Sequence, residues 1–85
     1  MKTKRIKKLK QPLVGQLILE LRQLLEQTQE EMATSLEVSF STISRWERGI
    51  TKPSPVASLL IETKLKDLGN KGEKLLDRYC DQSSS

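Results

Sequence analysis

The 85-residue chain contains no histidine, and cysteine occurs only once, at Cys80. Without imidazoles or several thiolates the chain offers no ligand set for structural zinc, and one cysteine cannot form a disulfide within the chain. A thiol without a histidine also lacks the base that would activate it as a nucleophile. We therefore interpret Cys80 as a free thiol and expect no enzyme activity, no metal and no cofactor.

Long apolar runs are also missing. No stretch approaches the roughly 18 residues that a membrane helix needs, and the basic N-terminus is not followed by the apolar segment and cleavage site of a signal peptide. Hydrophobic residues make up 35% of the chain and charged residues 31%, which is typical of soluble proteins. We expect one small cytoplasmic domain with no membrane segment.

The positive charge is concentrated at the N-terminal end. The formal net charge is +4, yet the first ten residues alone carry +6 and the rest of the chain is acidic overall. The cations of this basic arm are Lys2, Lys4, Arg5, Lys7, Lys8 and Lys10. Such an arm can neutralise DNA phosphates, or it can be a solvated tail that keeps the protein soluble.

Apolar periodicity predicts helices throughout and no strand. The first helix is expected over about 12–26, with one apolar face made of Val14, Leu17, Ile18, Leu21 and Leu25. The pattern divides the chain into a flexible basic arm over 1–11, a helical domain over 12–80 and a disordered tail over 81–85.

Two shorter helices follow. Thr28 and Glu31 have the spacing of a capping box, which predicts a second helix with Met32, Ala33 and Leu36 on its inner face. It should stop near Glu37, after which Val38 points inward. Ser39 can cap a third helix with Ile43 and Trp46 facing the core, and Gly49 should end it.

The fourth helix should be capped by Ser54 with Pro55 in its first turn. Its inner face is predicted to carry Val56, Leu59, Leu60 and Thr63, and Gly69 should end it. Asn70 and Glu73 have capping-box spacing for a short fifth helix. The predicted fold is therefore all-α, a compact bundle of about five short helices.

The second and third helices carry the candidate function. The turn of Glu37, Val38 and Ser39 is short enough to force the two helices to cross steeply, as in a helix-turn-helix. The third helix is anchored by one edge, and its other edge is mostly short and polar or cationic. Short hydroxyl side chains let a helix lie close to base edges, and arginine can reach guanine or a phosphate.

The stretch from Thr28 to Gly49 resembles the phage Cro/repressor-type, XRE-like helix-turn-helix family. The shared pattern is a Thr-Gln start with alanine four residues after the glutamine, a turn with a hydrophobic residue and serine, and Ile43-Ser44-Arg45-Trp46-Glu47-Arg48-Gly49. The resemblance covers about residues 13–68. Two positions depart from it: Glu37 stands where glycine is frequent and would have to adopt positive φ, and Phe40 stands where a polar residue is frequent.

The resemblance implies the site residues. It assigns base reading to Phe40, Ser41, Thr42 and Arg45, and phosphate contacts to Gln29, Ser39, Arg48, Thr51 and Lys52. Glu47 is more simply structural, pairing with a cation or a backbone amide. Gln29 could instead be an exposed first-turn residue, Arg48 could be solvated or lie on a dimer side, and Phe40 could fold back on the domain.

The function implied is a transcriptional regulator, a repressor, that binds a palindromic double-stranded DNA operator as a homodimer. Apolar residues of the last two helices could supply the dimer surface or form the core of the monomer: Leu65, Leu68, Leu75, Leu76 and Tyr79. The alternative is an antitoxin that binds DNA together with a protein toxin, or a protein-interaction module. An RNA-binding role of the arm is a third hypothesis, although only Phe40 offers a ring for stacking.

Overall fold

The computed structural model describes Ile6 and residues 9–80, except for the side chain of Cys80. These residues form five helices and no strand: α1 (Leu13–Leu24), α2 (Gln29–Leu36), α3 (Phe40–Glu47), α4 (Pro55–Asp67) and α5 (Asn70–Cys80). Helix α1 contacts α3 and α5, α2 contacts α3 and α4, and α4 contacts α5. The predicted all-α bundle is confirmed. Within the described part of the chain, none of the helices is both long and apolar enough to cross a bilayer.

Side-chain caps fix where the three middle helices begin. The Thr28 hydroxyl accepts a hydrogen bond from the Glu31 amide, and the Glu31 carboxylate accepts one from the Thr28 amide at 2.8 Å. Ser39 and Ser54 each accept a hydrogen bond from the amide three residues later. The predicted capping box and both serine caps are confirmed, so these cap residues determine where α2, α3 and α4 begin.

The turn between α2 and α3 depends on a left-handed residue. Glu37 has φ 60° and ψ 41°, and the Val38 amide donates back to the Ala33 carbonyl at 2.9 Å, as in a Schellman motif. The expected positive φ of Glu37 is confirmed, at a cost of about 1 kcal/mol for a residue with a side chain. Helix α3 ends in the same way at Gly49, with φ 78°, where no Cβ opposes the conformation.

The core lies between α1 and the helices around it. The inward faces predicted for α2 and α3 are buried, and so is that of α1 apart from Leu25, which is partly buried. Val38 is also partly buried, and it packs against the core from the turn. The buried side chains of the first three helices are Val14, Leu17, Ile18, Leu21, Met32, Ala33, Leu36, Ile43 and Trp46.

The inner face predicted for α4 is wrong. Val56, Leu59, Leu60 and Thr63 are exposed, and the side buried against the other helices is instead formed by Ala57, Ser58, Ile61 and Leu65. Both sides of α4 are rich in apolar residues, so periodicity alone did not decide which one faces inward. Small residues at 57 and 58 lie on the buried side.

At the C-terminal end of the domain one open alternative is resolved and one expectation is wrong. Leu65, Leu75 and Tyr79 are buried in the core, and Leu68 and Leu76 pack against it, so these residues form the monomer core and not a dimer surface. The Glu73 amide donates to the Gly69 carbonyl at 3.0 Å. This is a helical hydrogen bond, so α5 includes Asn70 and the capping box expected there is absent from the described residues.

Part of the basic arm belongs to the folded domain. Ile6 and Leu9, both inside the segment predicted as flexible, are buried in the core. The Ile6 amide also donates to a carboxylate oxygen of Glu62 on α4 at 2.8 Å. Lys10 is exposed, whereas the other five cations of the arm and the predicted tail over 81–85 lie outside the described residues.

Candidate nucleic-acid interface

Helix α3 is held on the core by one edge. Ile43 and Trp46 are buried, which confirms the predicted anchor. Ser41, Arg45 and Arg48 are exposed, and their spacing of four and three residues puts them on one line of the helix, opposite the buried edge. These three residues, the outward stripe, therefore project into solvent from a helix whose other side is fixed by packing.

The first turn of α3 adds an exposed ring. Phe40 is 50% exposed, so its side chain is not folded back on the domain. Thr42 is only half-buried, and its Oγ1 lies 2.9 Å from the Ser39 Oγ. The Ser39 oxygen also accepts the capping hydrogen bond of the Thr42 amide at 3.1 Å. Phe40 and Ser41 are thus accessible, whereas the hydroxyls of Ser39 and Thr42 already interact with each other.

The exposed charge of α3 and of the loop after it is positive. Between Val38 and Ile61 the sequence contains three cations, Arg45, Arg48 and Lys52, and a single acid, Glu47. All three cations are exposed, whereas the Glu47 side chain is only 6% exposed and is paired with a cation. A phosphate approaching α3 and the following loop would therefore meet arginine and lysine without a competing surface carboxylate from that segment.

Glu47 connects three helices. Its carboxylate accepts hydrogen bonds from the Arg22 Nε at 2.8 Å and Nη2 at 3.2 Å, and from the Gln29 Nε2 at 2.8 Å. Arg22 is itself only 19% exposed and also donates to the Gln27 carbonyl at 3.1 Å. The structural role predicted for Glu47, pairing with a cation, is confirmed. Because the three residues stand on α1, α2 and α3, the network fixes the orientation of α3.

Gln29 therefore braces α3 in this structure. One N–H of its amide is used by Glu47, and a primary amide has a second N–H and an acceptor oxygen. The first turn of α2 also carries Glu30 and Glu31, both exposed. Their carboxylates favour the positive end of the helix dipole and oppose an anion there, so a phosphate contact of Gln29 would have to come from the side of α3.

Gln11 braces the other end of α3. Its Oε1 accepts a hydrogen bond from the Gly15 amide at 2.8 Å, and its Nε2 donates to the Trp46 carbonyl at 3.1 Å and to the Thr51 carbonyl. The helices come very close here, because a Cβ on Gly15 would lie 2.1 Å from the Trp46 carbonyl oxygen. The start of α1 thus holds both the end of α3 and the loop after it.

The predicted site residues fall into three groups. Four base-reading candidates and two phosphate candidates lie on or beside α3, from Ser39 to Arg48, and Thr51 and Lys52 follow in the exposed loop. Gln29 is joined to α3 through Glu47. Sequence reasoning missed the bracing residues Gln11 and Arg22. Gly15 carried a usable signal, since glycine inside a predicted helix often marks a close backbone approach.

Part of the chain matches a known protein family. A family model described as helix-turn-helix matches residues 18–66, more than half of the chain. The matched segment contains α2, the turn, α3 and all but the last residue of α4. No match was found among curated proteins or among solved structures. The match thus spans the anchored helix and its outward stripe, together with the loop that follows.

Proposed function

We propose, from the premise that this chain belongs to the XRE-like helix-turn-helix family of DNA-binding proteins, that it is a transcriptional repressor acting on a palindromic operator. In this proposal α3 enters the major groove, which is wide enough for an α-helix and presents a distinct pattern for each base pair. Occupation of the operator then excludes other proteins from the same DNA.

The observation that carries the proposal is the placement of the outward stripe. Ser41 and Arg45 lie on the side of α3 opposite Ile43 and Trp46, and the helix is fixed by packing and by the Glu47 network. A reading helix that is rigid before binding loses little conformational entropy when it meets DNA. The stripe is therefore suited to sequence readout as well as to charge neutralisation.

Each candidate receives a role from its chemistry. Arg45 would donate two hydrogen bonds to guanine, and Ser41 would bond a base edge at close approach. Phe40 would contact a thymine methyl, since its ring is half exposed. Thr42, which is less accessible, would contact a base through its methyl or hydroxyl group.

The phosphate contacts would surround this reading edge. Arg48 and Lys52 would contribute charge, and Ser39 and Thr51 would donate from hydroxyl groups. Gln29 would use the N–H that Glu47 leaves free. Phosphate contacts set register and orientation without reading sequence, which makes their expected mutational signature different from that of Arg45.

A homodimer follows from the size of the module. One α3 covers only a few base pairs, and helix-turn-helix proteins gain specificity by placing two such helices in half-sites about 34 Å apart. A homodimer with two-fold symmetry then binds a DNA sequence that is palindromic. The proposal thus predicts two copies of the chain on each operator.

The proposal is tested by selecting bound fragments from a random pool of duplexes and measuring affinities for the selected site. We expect Arg45→Ala to cost roughly 1–3 kcal/mol and to relax preference at one position of each half-site. Arg48→Ala should weaken binding to all sequences alike and lower the salt slope by about 1. The exposed Lys66 on α4 provides a control, because Lys66→Ala removes a cation away from α3.

Two results would contradict the proposal. One is equal affinity of the wild-type chain for the selected site and for unrelated duplexes at moderate salt. The other is an Arg45→Ala variant with the same sequence preference as Lys66→Ala, because the outward stripe would then contribute charge without reading bases.

A further inference from the structure

A groove runs between the C-terminal half of α1 and α5. Its volume is about 410 Å³, which lies within the roughly 300–1,000 Å³ of ligand-binding pockets. Its apolar lining consists of the buried Leu75 of α5 and of Leu24 of α1, which is 41% exposed. Lys71 and Lys74 also line the groove, and both are exposed. The groove thus combines an apolar surface with a cationic edge.

This groove lies on the side of α1 that faces away from α3. Arg22 points toward α3, because it pairs with Glu47. At 3.6 residues per turn, positions two residues before and after Arg22 lie nearly opposite to it on the helix, so Glu20 and Leu24 are on the other side of α1. That side packs against α5, where Arg78 pairs with Glu20 at 2.5 Å. DNA held by α3 would therefore leave the groove accessible.

The cations of α5 are concentrated on the side of the groove. Lys71, Lys74 and Arg78 all line it, and their spacing of three and four residues places them on one side of the helix. Glu73 and Asp77 are also four residues apart, and they share a different side. The groove therefore meets three positive charges from α5, although the chain outside the basic arm is acidic overall.

Two of these cations lack an ionic partner in the described part of the chain. The acid that lines the groove, Glu20, already pairs with Arg78 and accepts a hydrogen bond from the Tyr79 hydroxyl. Neither Lys71 nor Lys74 takes part in an ion pair among the described residues. Their aliphatic stems can extend the apolar lining while their ammonium groups stay available to an anion.

We infer that this groove binds an acidic, amphipathic segment of another protein. Carboxylates of the segment would pair with Lys71 and Lys74, since a cationic edge attracts acidic partners and repels basic ones. Exposed ion pairs alone contribute little, so an apolar side chain of the segment would also pack against Leu24 and Leu75. The exposed Gln23, which lines the groove as well, can donate and accept hydrogen bonds with the backbone of the segment.

The combination of charge and apolar lining favours this occupant over two others. A nucleic-acid backbone supplies anions but no apolar side chain, so it would leave Leu24 uncovered. A two-fold pair of this chain through the groove would place Lys71 and Lys74 against their own images, and like charges would then face each other. The small size of the groove predicts a weak, transient complex.

The experiment selects short peptides from a random displayed library on the wild-type chain and discards those that also bind the double variant Lys71→Glu/Lys74→Glu. We expect the selected peptides to carry several Asp or Glu beside Leu, Ile or Phe. For one synthetic peptide of this set, calorimetric titration should show binding weakened by about three- to tenfold in Lys74→Glu. Lys66→Glu makes the same charge change at an exposed lysine of α4 and should leave the affinity nearly unchanged.

Two further measurements test the details of the contact. Leu24→Ala should weaken the peptide, whereas Leu59→Ala, which shortens a 55% exposed leucine outside the groove, should not. A peptide with its acids replaced by lysine should bind Lys71→Glu/Lys74→Glu better than it binds the wild-type chain. Melting temperatures check that each variant is folded.

Several results would overturn the inference. They are the absence of any peptide that distinguishes the wild-type chain from the double variant, and equal effects of Lys74→Glu and Lys66→Glu. Displacement of the peptide by an unrelated duplex would assign the groove to nucleic acid. Sedimentation that shows self-association of the wild-type chain, lost in Lys74→Glu, would assign it to a second copy. None of the peptide titrations requires an operator, so they remain decisive even if the proposed sequence-specific DNA binding fails.

Discussion

Removal of the Glu47 carboxylate tests whether the proposed reading helix is held in place by an internal ion pair. In Glu47→Ala, Arg22 loses two hydrogen bonds of 2.8 and 3.2 Å, and Gln29 loses one of 2.8 Å. The guanidinium of Arg22, at 19% exposure, is then left without its ionic partner in a place where water has limited access.

We expect Glu47→Ala to lower the free energy of unfolding by about 3 kcal/mol. Removing one partner of a buried ion pair typically costs 3–5 kcal/mol, since the other charge remains uncompensated. The lower end applies because Arg22 keeps its hydrogen bond to the Gln27 carbonyl at 3.1 Å and retains some exposure. At about 0.05–0.15 kcal/mol per residue, a domain of this size has a total free energy of unfolding of roughly 4–13 kcal/mol, so the variant should be folded but much weaker.

Urea unfolding followed by the fluorescence of Trp46, the single tryptophan, measures this loss directly. Glu30→Ala removes an exposed acid of α2 and should change stability by less than about 0.5 kcal/mol. The double variant Arg22→Leu/Glu47→Leu should recover most of the loss, because two apolar side chains can replace a buried pair at little cost. Equal stability of Glu47→Ala and Glu30→Ala would contradict the expected loss, and so would a double variant that loses the sum of the two single effects.

Three other substitutions test single structural features. Gly15→Ala should destabilise the domain by about 1–3 kcal/mol in urea, since the new Cβ would lie 2.1 Å from the Trp46 carbonyl oxygen; unchanged stability would contradict the close approach. Glu37→Gly should raise the free energy of unfolding by up to about 1 kcal/mol by removing the strain of φ 60°; a loss would show that the side chain contributes more than the strain. Burial, followed by the hydrogen bond to Glu20 and its charge, raises the pKa of Tyr79 from 10.0 to about 12. The stabilising contribution of the protonated phenol is therefore complete below pH 10 and is lost as the pH rises toward 12. Tyr79→Phe should thus be less stable than wild type at neutral pH, and the two stabilities should approach each other above pH 10. A stability difference that does not change with pH would contradict the raised pKa, which the absorbance of the only tyrosine measures directly.

Local signals in the sequence were sufficient to predict where most helices begin and end. Thr28, Ser39 and Ser54 are cap residues followed by helical periodicity, and all three caps form. The inner edge of α3 was also predictable, because Ile43 and Trp46 are large apolar residues in a segment that is otherwise mostly polar. Where polar and apolar residues alternate with a clear helical period, the pattern determines the buried side.

The same reasoning failed for α4 because its pattern is ambiguous. From Val56 to Ile61 only Ser58 is not apolar, so either side could form the core, and the size of the side chains favours the side of Val56, Leu59 and Leu60 as the inner one. Packing against α2 and α5 selects the other side, where Ala57 and Ser58 are nearly inaccessible. The wrong prediction of the inner face and the exposure of Val56, Leu59 and Leu60 have the same cause, since a helix with two apolar sides can bury only one of them within a monomer.

Long-range polar contacts were beyond prediction from periodicity. Arg22 and Glu47 are separated by 25 residues, and the sequence contains 11 acids and 15 cations that could form many other pairs. Gln11 is similar, because its two carbonyl partners on and after α3 become neighbours only when α1 packs there. A side chain that stabilises a site through hydrogen bonds to backbone carbonyls has no characteristic sequence separation from its partners, so the sequence pattern does not identify them.

The buried residues within the basic arm change how the role of its charge has to be tested. Deleting residues 1–10 would remove six cations, but it would also remove Ile6 and Leu9 from the core. Loss of a buried aliphatic side chain typically costs 2–5 kcal/mol, so a deletion would weaken DNA binding through instability alone. The informative variant replaces the six cations by glutamine and keeps Ile6 and Leu9.

We expect this neutralised variant to retain its stability and to lose affinity for all duplexes alike. If every cation contacts a phosphate, the slope of log affinity against log salt should become shallower by about 5, since each contact contributes roughly 0.9. Ile6→Ser is the complementary control, because it keeps the charge of the arm and removes a side chain from the core. It should lower the free energy of unfolding in urea and leave the salt slope of DNA binding unchanged. A neutralised variant with the wild-type slope would show that the arm makes no phosphate contacts. The salt dependence would then come from cations outside the arm, among which Arg45, Arg48 and Lys52 together would contribute a slope of about 3.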